Sequence, residues 1–471
     1  MSVNRVRNAS RLWIAAALLA ASTLRPGAAE AQSDEFGVYG SATIGEALMP
    51  ALIEAYAENT GIAAIRGPGP YRGAATYRLE RGDQVTILHL RRRGSDSAFS
   101  GLASRSAQIG MSSIPADARE RRFVRDAVGV DLLETSSEHV LALDGLAIIS
   151  HPNNPVPPLT FEQIAQIFSG EIRDWSELGL PARKFAVHAR DRISGDQAAF
   201  EAQILRPTNR ILRRFAVRHG SSADLVAAVA ADPGAIGFAP FAFLKDVRAA
   251  AIAMPCGKIA APTPFAVKAE EYPLQRRLFL YTRGWPENPE AAGLLDFALS
   301  DAAQPVIDRT GFVDQSLLRQ GAADFSDHLI FAMQSAGSRA EIDATKRFAQ
   351  VTRDRVRLSS TFRFRTGGER LDAKAVADAG RLARWLEQPA NAAVEILLIG
   401  FSDSVGGYNN NLRLSQARAD AIRRAVLVQV GPDFDPNRVK TEAFATVAPV
   451  ACNEIESGRA SNRRVEAWVN R

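Results

Sequence analysis

The sequence predicts an α/β protein of two or three domains, on three observations. The chain has 471 residues, more than one hydrophobic core ordinarily organises. Between Phe36 and Leu318, short apolar runs typical of strands alternate with runs typical of helices, which favours a mostly parallel sheet in two lobes. From Val351 to the C-terminus, a smaller set of such runs indicates a separate α/β domain.

The N-terminal segment, residues 1–31, has the pattern of a secretory signal peptide. Three arginines precede an apolar run, Leu12–Ala21, that is too short to cross a bilayer. Ala29-Glu-Ala31 supplies the small residues of a cleavage site, which argues against an uncleaved anchor. We therefore expect an exported chain with no transmembrane segment once the signal is removed.

The predicted large domain, residues 32–318, joins strands to helices through small polar residues at four places. They are Tyr39-Gly-Ser-Ala-Thr43, Gly94-Ser-Asp-Ser97, Gly110-Met-Ser-Ser113 and Arg190-Asp-Arg-Ile-Ser-Gly195. Helix N-termini carry unpaired N–H groups and partial positive charge, so oxyanions bind there, and an arginine adds a charged grip. One such serine alone would be an ordinary N-cap. The four together predict a pocket for one small anion.

Short motifs spread over residues 36–314 resemble the phosphate-specific periplasmic binding proteins of ABC importers. They are Gly40-Ser-Ala-Thr43, Gly94-Ser95, Ile109-Gly-Met-Ser-Ser113, Ala142-Leu-Asp-Gly-Leu-Ala-Ile148, Ile167-Phe-Ser-Gly-Glu-Ile-Arg-Asp-Trp175, Arg190-x-x-x-Ser-Gly195, Asp232-Pro-Gly-Ala-Ile-Gly-Phe238 and Glu271-Tyr-Pro-Leu274. The motif that ends at Trp175 is the most diagnostic. The resemblance implies a two-lobed type II periplasmic-binding-protein fold that closes on its ligand.

The same resemblance assigns contacts with the anion to residues of both lobes. They are Ser41, Thr43, Ile44, Ser95, Ser113, Arg190, Ser194, Gly195 and Asp196. Hydroxyl groups would come from Thr43, Ser95 and Ser194. Backbone N–H groups would come from Ile44 and Gly195, and Arg190 would be the charged clamp.

Asp196 and Ser113 depart from the family pattern. Asp196 stands where a hydroxyl donor belongs, and a carboxylate there would repel a phosphate dianion unless it is protonated or turned away. Arg192 stands where an acid is common, so an Arg192–Asp196 pair would compensate. Ser113 replaces a carboxylate that in some members accepts a proton from phosphate, which weakens discrimination against sulfate-like anions. The expected ligand is phosphate or a similar small oxyanion, and the alternative is a scaffold whose anion site has degenerated.

In the small domain, a strand-like run, Val394–Ile399, is followed by a polar turn with Asp403 and by a helix with Arg418. An acid and a base facing one another suit a ligand with one amine and one carboxylate. With Asn462-Arg-Arg-Val-Glu466, this region resembles the OmpA-like peptidoglycan-binding domain, which holds the diaminopimelate side chain of the wall peptide. The resemblance implies an α+β fold and peptidoglycan-binding roles for Asp403, Asn411, Arg418, Arg463 and Arg464.

The remaining composition favours a binding protein over an enzyme or a nucleic-acid partner. The net charge of +5 is spread along the chain, without a nucleic-acid-binding motif. The six histidines form no zinc spacing, and the chain has neither a P-loop nor a G-x-S-x-G motif, so we expect no metal or cofactor. Arg91-Arg92-Arg93 would either steer anions or form a solvated strand end, and we favour the second.

The domain organisation follows from these assignments. Residues 319–350 are polar with helical tendency, and we predict a linker or connecting helix between the large domain and the small domain, residues 351–471. Cys256 and Cys452 fall in different domains. A disulfide is chemically allowed outside the cytoplasm, but we favour two buried free thiols.

The sequence therefore predicts a binding protein of the periplasm, associated with the cell wall or outer membrane. Its expected partners are inorganic phosphate or a similar oxyanion, peptidoglycan and an ABC importer. A role in storage, in sensing or in delivery would each be compatible with these assignments.

Overall fold

The strands of the chain form one long mixed sheet, one two-stranded ribbon and one four-stranded sheet. The computed structural model describes residues 34–71, 73–364 and 367–470, so the predicted signal peptide lies outside the described residues. The strands are β1 Asp34–Gly40, β2 Ala63–Pro68, β3 Ala74–Arg81, β4 Gln84–Arg92, β5 Ile109–Ser112, β6 Glu138–Ser150, β7 Ala186–Arg190, β8 Val217–His219, β9 Ala235–Pro240, β10 Arg248–Ala249, β11 Ile252–Ala253, β12 Ile259–Ala260, β13 Gln275–Thr282, β14 Arg355–Arg363, β15 Ile396–Gly400, β16 Val439–Ala443 and β17 Arg464–Asn470.

Helices cover the faces of these sheets. The α-helices are α1 Ala42–Glu46, α2 Leu48–Thr60, α3 Asp96–Ala103, α4 Ala118–Val128, α5 Phe161–Ser169, α6 Gly195–Phe200, α7 Ser222–Ala231, α8 Pro264–Lys268, α9 Pro289–Leu299, α10 Gln304–Arg309, α11 Ala322–Ser335, α12 Arg339–Thr352, α13 Ala373–Glu387, α14 Tyr408–Leu427 and α15 Glu456–Asn462. A π-helical turn, Glu201–Leu205, extends α6, and 3₁₀ turns lie at Trp175–Leu178, Arg206–Thr208, Phe241–Asp246, Asp301–Ala303, Pro389–Asn391 and Pro436–Arg438. No helix of the described ranges is long and apolar enough to cross a membrane.

The long sheet runs through both lobes of the large domain in the order β2-β3-β4-β1-β5-β13-β6-β9-β7-β8, with β10 also paired to β6. The thirteen residues of β6 are all buried. Its first part pairs with β13 up to Gly145, and its second part pairs with β9 from Leu146. The expected two-lobed α/β fold is confirmed, and β6 is the strand that the lobes share.

The sheet is more antiparallel than the alternation of strands and helices suggested. The parallel neighbours are β1–β4, β1–β5, β7–β8 and β7–β9. The remaining pairs are antiparallel, because β2, β3 and β4 form a meander and β13 returns along β5 and β6. Gly82, with a φ of 58°, turns the chain between β3 and β4. The expectation of a mostly parallel sheet is therefore wrong.

The motif that ends at Trp175 is a structural motif of the second lobe. The Ile167 and Phe168 side chains are buried in the last turn of α5. Gly170 ends that helix in the left-handed conformation, with a φ of 88°. The Trp175 indole is also buried and donates through Nε1 to the Gly234 carbonyl at 3.2 Å. These contacts give the bulky residues and the glycine of this motif a structural role.

The small domain is a three-layer unit around the sheet β14-β17-β15-β16. Helices α13 and α14 cover one face, where Leu382 and Ile422 pack on Leu398. Helices α11 and α12, which occupy most of the predicted linker, cover the other face. Phe348 of α12 packs there on Trp468 of β17. Residues 319–350 thus contribute to the core of the small domain.

A disulfide joins the two domains. Cys256, in the turn between β11 and β12, bonds to Cys452 of the small domain across a sequence separation of 196 residues. The expectation of two free thiols is therefore wrong. The two residues meet through tertiary packing, which leaves no local signature around either cysteine.

Ion pairs also join the large domain to the small domain. The Arg277 guanidinium on β13 contacts Glu270 at 3.0 Å and Asp372 of the small domain at 2.7 Å. Arg357 on β14 pairs with Glu271 of the large domain and lies 3.2 Å from Glu466 of its own sheet. Burial alone would raise the pKa of Glu270, but Arg277, with Lys374 and Arg363, lowers it to about 2. The two domains therefore meet through charged side chains that are held away from water.

Candidate functional site

The predicted anion pocket forms where both lobes meet. Thr43 in α1, Ser113 after β5 and Gly195 at the start of α6 converge, since a Cβ at Gly195 would lie 2.7 Å from Thr43 Oγ1 and 3.3 Å from Ser113 Oγ. Ser95 at the N-terminus of α3 joins them, because its Oγ accepts the Ser113 N–H at 3.2 Å. Residue 195 must therefore be glycine for the lobes to approach this closely.

The remaining predicted residues border the same place. Ser194 caps α6 by accepting the Asp196 N–H at 3.2 Å. Ser41 is buried, and its N–H donates to the Met111 carbonyl, which fixes the start of α1 next to β5. The buried Ile44 lies in the first turns of α1. The starts of α1 and α6 thus lie close to one another, with Thr43 beside Gly195.

Arg190, at the end of β7, brings a buried guanidinium to this pocket. Its Nη1 donates to the His219 carbonyl at 3.2 Å, which orients the side chain. Its Nε lies 3.9 Å from Asp196 Oδ2 and makes no hydrogen bond within the described residues. Arg190 is therefore ion-paired with Asp196, and its Nε still has a hydrogen bond to give.

The Asp196 carboxylate contacts Arg276, whereas the sequence suggested Arg192 as its partner. Its Oδ1 lies 2.5 Å from Arg276 Nη2, and its Oδ2 accepts a hydrogen bond from Ser222 Oγ at 3.1 Å. Arg192 is exposed to solvent instead. The expected Arg192–Asp196 pair is therefore wrong, and the carboxylate is neutralised by a buried partner.

Arg276 on β13 is the residue of this network that the sequence did not reveal. Its guanidinium also contacts Asp144 of β6 at 2.6 Å and the Gly195 carbonyl at 3.3 Å. Burial raises the pKa of Asp144, and Arg276 opposes that shift. A single arginine within a strand carries no recognisable spacing, so no sequence signal could have identified it.

Arg91 and Arg92 end β4, and Arg93 follows directly. The three side chains pack on aromatic rings and on the backbone. The guanidinium of Arg91 lies 4.5 Å from the centre of the Tyr39 ring, and that of Arg93 lies 4.0 Å from the Tyr71 ring. Arg92 donates through Nε to the Gly73 carbonyl at 3.2 Å. Arg91 and Arg92 are half-buried and Arg93 is exposed, and the choice between anion steering and a solvated strand end stays a prediction.

In the small domain, Asp403 and Arg463 form one side of the predicted peptide site. Asp403 Oδ2 lies 2.7 Å from Arg463 Nη1, and Arg463 Nη2 reaches Glu456 at 3.0 Å. The Asn411 side chain donates to the carbonyls of Asp403 and Val405 at 3.3 and 3.1 Å. Asn411 therefore shapes the turn that carries the carboxylate.

Arg418, from α14, forms the other side of this site. Its Nε donates to the Gly368 carbonyl at 3.0 Å, and its guanidinium lies 5.2 Å from the centre of the Phe364 ring. Burial and, to a smaller extent, Arg463 lower the pKa of Arg418 to about 10, whereas Asp403 opposes the shift. Asp403 and Arg418 are thus close enough to influence one another electrostatically.

Arg464 lies elsewhere. It is fully buried, pairs with Glu466 at 2.7 Å and donates to the Ala448 carbonyl at 2.7 Å. Arg463 ends α15 and reaches the turn of Asp403, whereas Arg464 is the first residue of β17 and pairs within its own strand. The structure therefore does not bring Arg464 together with the other four predicted residues.

Comparisons with known proteins match the two parts of the chain separately. The family model described as a PBP superfamily domain matches residues 31–302. The model of the OmpA family matches residues 363–463. Both resemblances inferred from the motifs are confirmed.

Individual relatives agree with this division. The phosphate-binding protein PstS of Borreliella burgdorferi is 23% identical over 267 residues, which cover 54% of this chain and 91% of the relative. The phosphate-binding protein PstS of Bacillus subtilis is 28% identical over 218 residues, 45% of this chain and 66% of the relative. The probable lipoprotein YiaD of Escherichia coli is 39% identical over 89 residues, 19% of this chain and 38% of the relative.

Proposed function

Because the chain belongs to the PBP superfamily over residues 31–302 and carries an OmpA-family domain over residues 363–463, we propose a bifunctional binding protein of the periplasm. The large domain captures phosphate or a similar small oxyanion, and the small domain attaches non-covalently to peptidoglycan. The protein is then associated with the cell wall or outer membrane.

The observation that carries the anion proposal is the convergence of donors from both lobes. Thr43, Ser95 and Ser113 offer hydroxyl groups beside Gly195, and Arg190, whose Nε makes no hydrogen bond within the described residues, lies 3.9 Å from the neighbouring Asp196. Charge-assisted hydrogen bonds of this kind are the strong ones. The names of the PstS relatives, which are phosphate-binding proteins, support phosphate as the first ligand to test.

The Asp196 carboxylate does not oppose this proposal. Arg276 holds one of its oxygens at 2.5 Å and Ser222 holds the other, so its charge is compensated within the protein. Ser113 offers a hydroxyl where a carboxylate would demand a protonated ligand. The pocket therefore accepts fully deprotonated oxyanions as well as phosphate.

The wall proposal rests on the pairing of Asp403 and Arg418 across one site. The carboxylate of Asp403 receives the ammonium group of diaminopimelate, and Arg418 receives its carboxylate, as the resemblance to OmpA-like domains implies. Arg463 supports Asp403 by its contact at 2.7 Å. The PstS relatives suggest an ABC importer as a further partner. A receptor attached to the wall would have to extend across the periplasm to contact that importer.

The alternative is a wall-bound scaffold whose anion site has degenerated. Calorimetric titration of the mature chain with phosphate, arsenate and sulfate separates the two. We expect saturable phosphate binding that is lost in Arg190→Ala and kept in Arg192→Ala, an exposed arginine two residues away. Heat with none of the three anions, from protein that still sediments with peptidoglycan through Asp403, would contradict the receptor and favour the scaffold.

A further inference from the structure

A cavity of about 910 Å³ lies between the large and the small domain. Its volume is within the roughly 300–1,000 Å³ that small-molecule sites occupy. The large domain contributes Arg121, Asp131 and Phe161 to its wall, and the small domain contributes Phe364, Gly368 and Ser461. The lining is mixed in charge and partly apolar, which suits a short zwitterionic peptide better than a simple anion.

The wall from the small domain is the back of the proposed peptide site. Gly368 accepts the hydrogen bond of Arg418 Nε, and Phe364 lies beside the Arg418 guanidinium, so both lining residues touch Arg418 directly. Ser457 and Ser461, also in the lining, come from α15 next to Glu456 and Arg463. The cavity is therefore separated from Arg418 only by Gly368 and Phe364, which contact that arginine.

The opposite wall offers a charged group that is not used within the fold. Arg121 of α4 is half-buried, and its Nε donates a hydrogen bond to the Asp117 carbonyl at 3.2 Å. Within the part of the chain that the structure describes, Arg121 forms no ion pair, whereas Arg277 in the same cavity is paired twice. A guanidinium with open donors facing such a cavity suits a peptide carboxylate.

We propose that this cavity binds the remainder of a peptidoglycan stem peptide whose diaminopimelate side chain lies at Asp403 and Arg418. Arg121 of the large domain binds a carboxylate of that peptide. The inference rests on the proposed function of the small domain, and it adds that the large domain forms part of the peptide site. The ligand class is then the stem peptide of peptidoglycan, held between the domains.

Titration of the full mature chain with a synthetic diaminopimelate-containing tripeptide and with free diaminopimelate tests the proposal. We expect Arg121→Glu to weaken tripeptide binding on the order of tenfold, since a hydrogen bond to a charged group contributes about that factor. Free diaminopimelate should bind equally to the variant and the wild type. Arg122→Glu, one residue away and exposed outside the cavity, is the matched control.

The outcomes separate the two proposals. If the wild type binds the tripeptide and Asp403→Ala does not, the proposed function stands. If Arg121→Glu then equals Arg122→Glu, the cavity proposal is overturned alone. If the wild type binds neither ligand, both proposals fail together. Unchanged thermal unfolding of Arg121→Glu excludes loss of fold as the cause of weaker binding.

Discussion

Arg276 and Arg277 are neighbours on β13, yet they belong to different regions of the molecule. Arg276 contacts Asp144 and Asp196 beside the anion pocket, whereas Arg277 contacts Glu270 and Asp372 at the domain interface. Successive strand residues face opposite sides, so one strand supports both regions. The comparison teaches that the pocket and the interface each place an arginine between two carboxylates, buried for Arg276 and half-buried for Arg277.

The largest expected effect tests whether these two clusters are separate. Arg276→Ala should lower the free energy of unfolding by about 3–5 kcal/mol, because it leaves the buried Asp144 without its charged partner. Arg277→Ala should lower it less, because Glu270 keeps Arg363 at 3.7 Å and Asp372 is partly exposed. Only Arg276→Ala should also weaken phosphate binding, since it releases Asp196 toward the pocket. Urea unfolding and calorimetric titration measure the two effects.

Arg122→Ala, at an exposed position of α4, is the control for the loss of an arginine. Equal loss of phosphate affinity in Arg276→Ala and Arg277→Ala would show that the clusters act as one.

The second prediction removes the covalent part of the interface. The double variant Cys256→Ser, Cys452→Ser should lower the free energy of unfolding by about 2–4 kcal/mol, because it frees a long loop in the unfolded chain. Its phosphate affinity should be unchanged, since neither cysteine borders the anion pocket. Thermal unfolding of the variant should match that of the reduced wild type, and a variant as stable as the oxidised wild type would contradict the prediction.

The smallest expected effect is the pH dependence of stability that His328 of α11 contributes. Burial lowers the pKa of His328 to about 3, and its ring nitrogens have no hydrogen-bond partner in the described ranges. Between pH 6.5 and 3 the unfolded chain therefore binds a proton that the folded chain does not, and stability falls as the pH falls. We expect His328 to account for about 2 kcal/mol of the loss between pH 7 and pH 5.

Unfolding of His328→Phe at both pH values measures this contribution. The variant should lose less stability on acidification than the wild type, and His151→Phe, in a half-buried surface loop, serves as the control. An unchanged pH dependence in His328→Phe would refute the assignment.

Much of the fold was predictable because local patterns determine it. The alternating strand and helix runs indicated two lobes, and the serine and glycine residues at helix starts identified Thr43, Ser95 and Gly195 as neighbours. The mostly parallel sheet was a wrong prediction, because the strand order depends on β6 and β13, whose partners are distant in sequence.

The interface was not predictable for the same reason. Arg277, Glu270 and Asp372 are ordinary charged residues in the sequence, and they acquire their roles only when the domains pack together. The same holds for Cys256 and Cys452. The motifs identified the family of each domain, because each domain matches its family by itself. The contact between the two domains depends on residues that belong to neither motif set.

The disulfide closes the polypeptide into a covalent ring that runs from Cys256 to Cys452. Helices α11 and α12, which connect the two domains, lie within that ring. A protease that cuts the chain once in this connection therefore produces two fragments that remain bonded to one another. Release of the small domain requires a reductant in addition to the cut, so a chain cut once in this connection keeps its small domain.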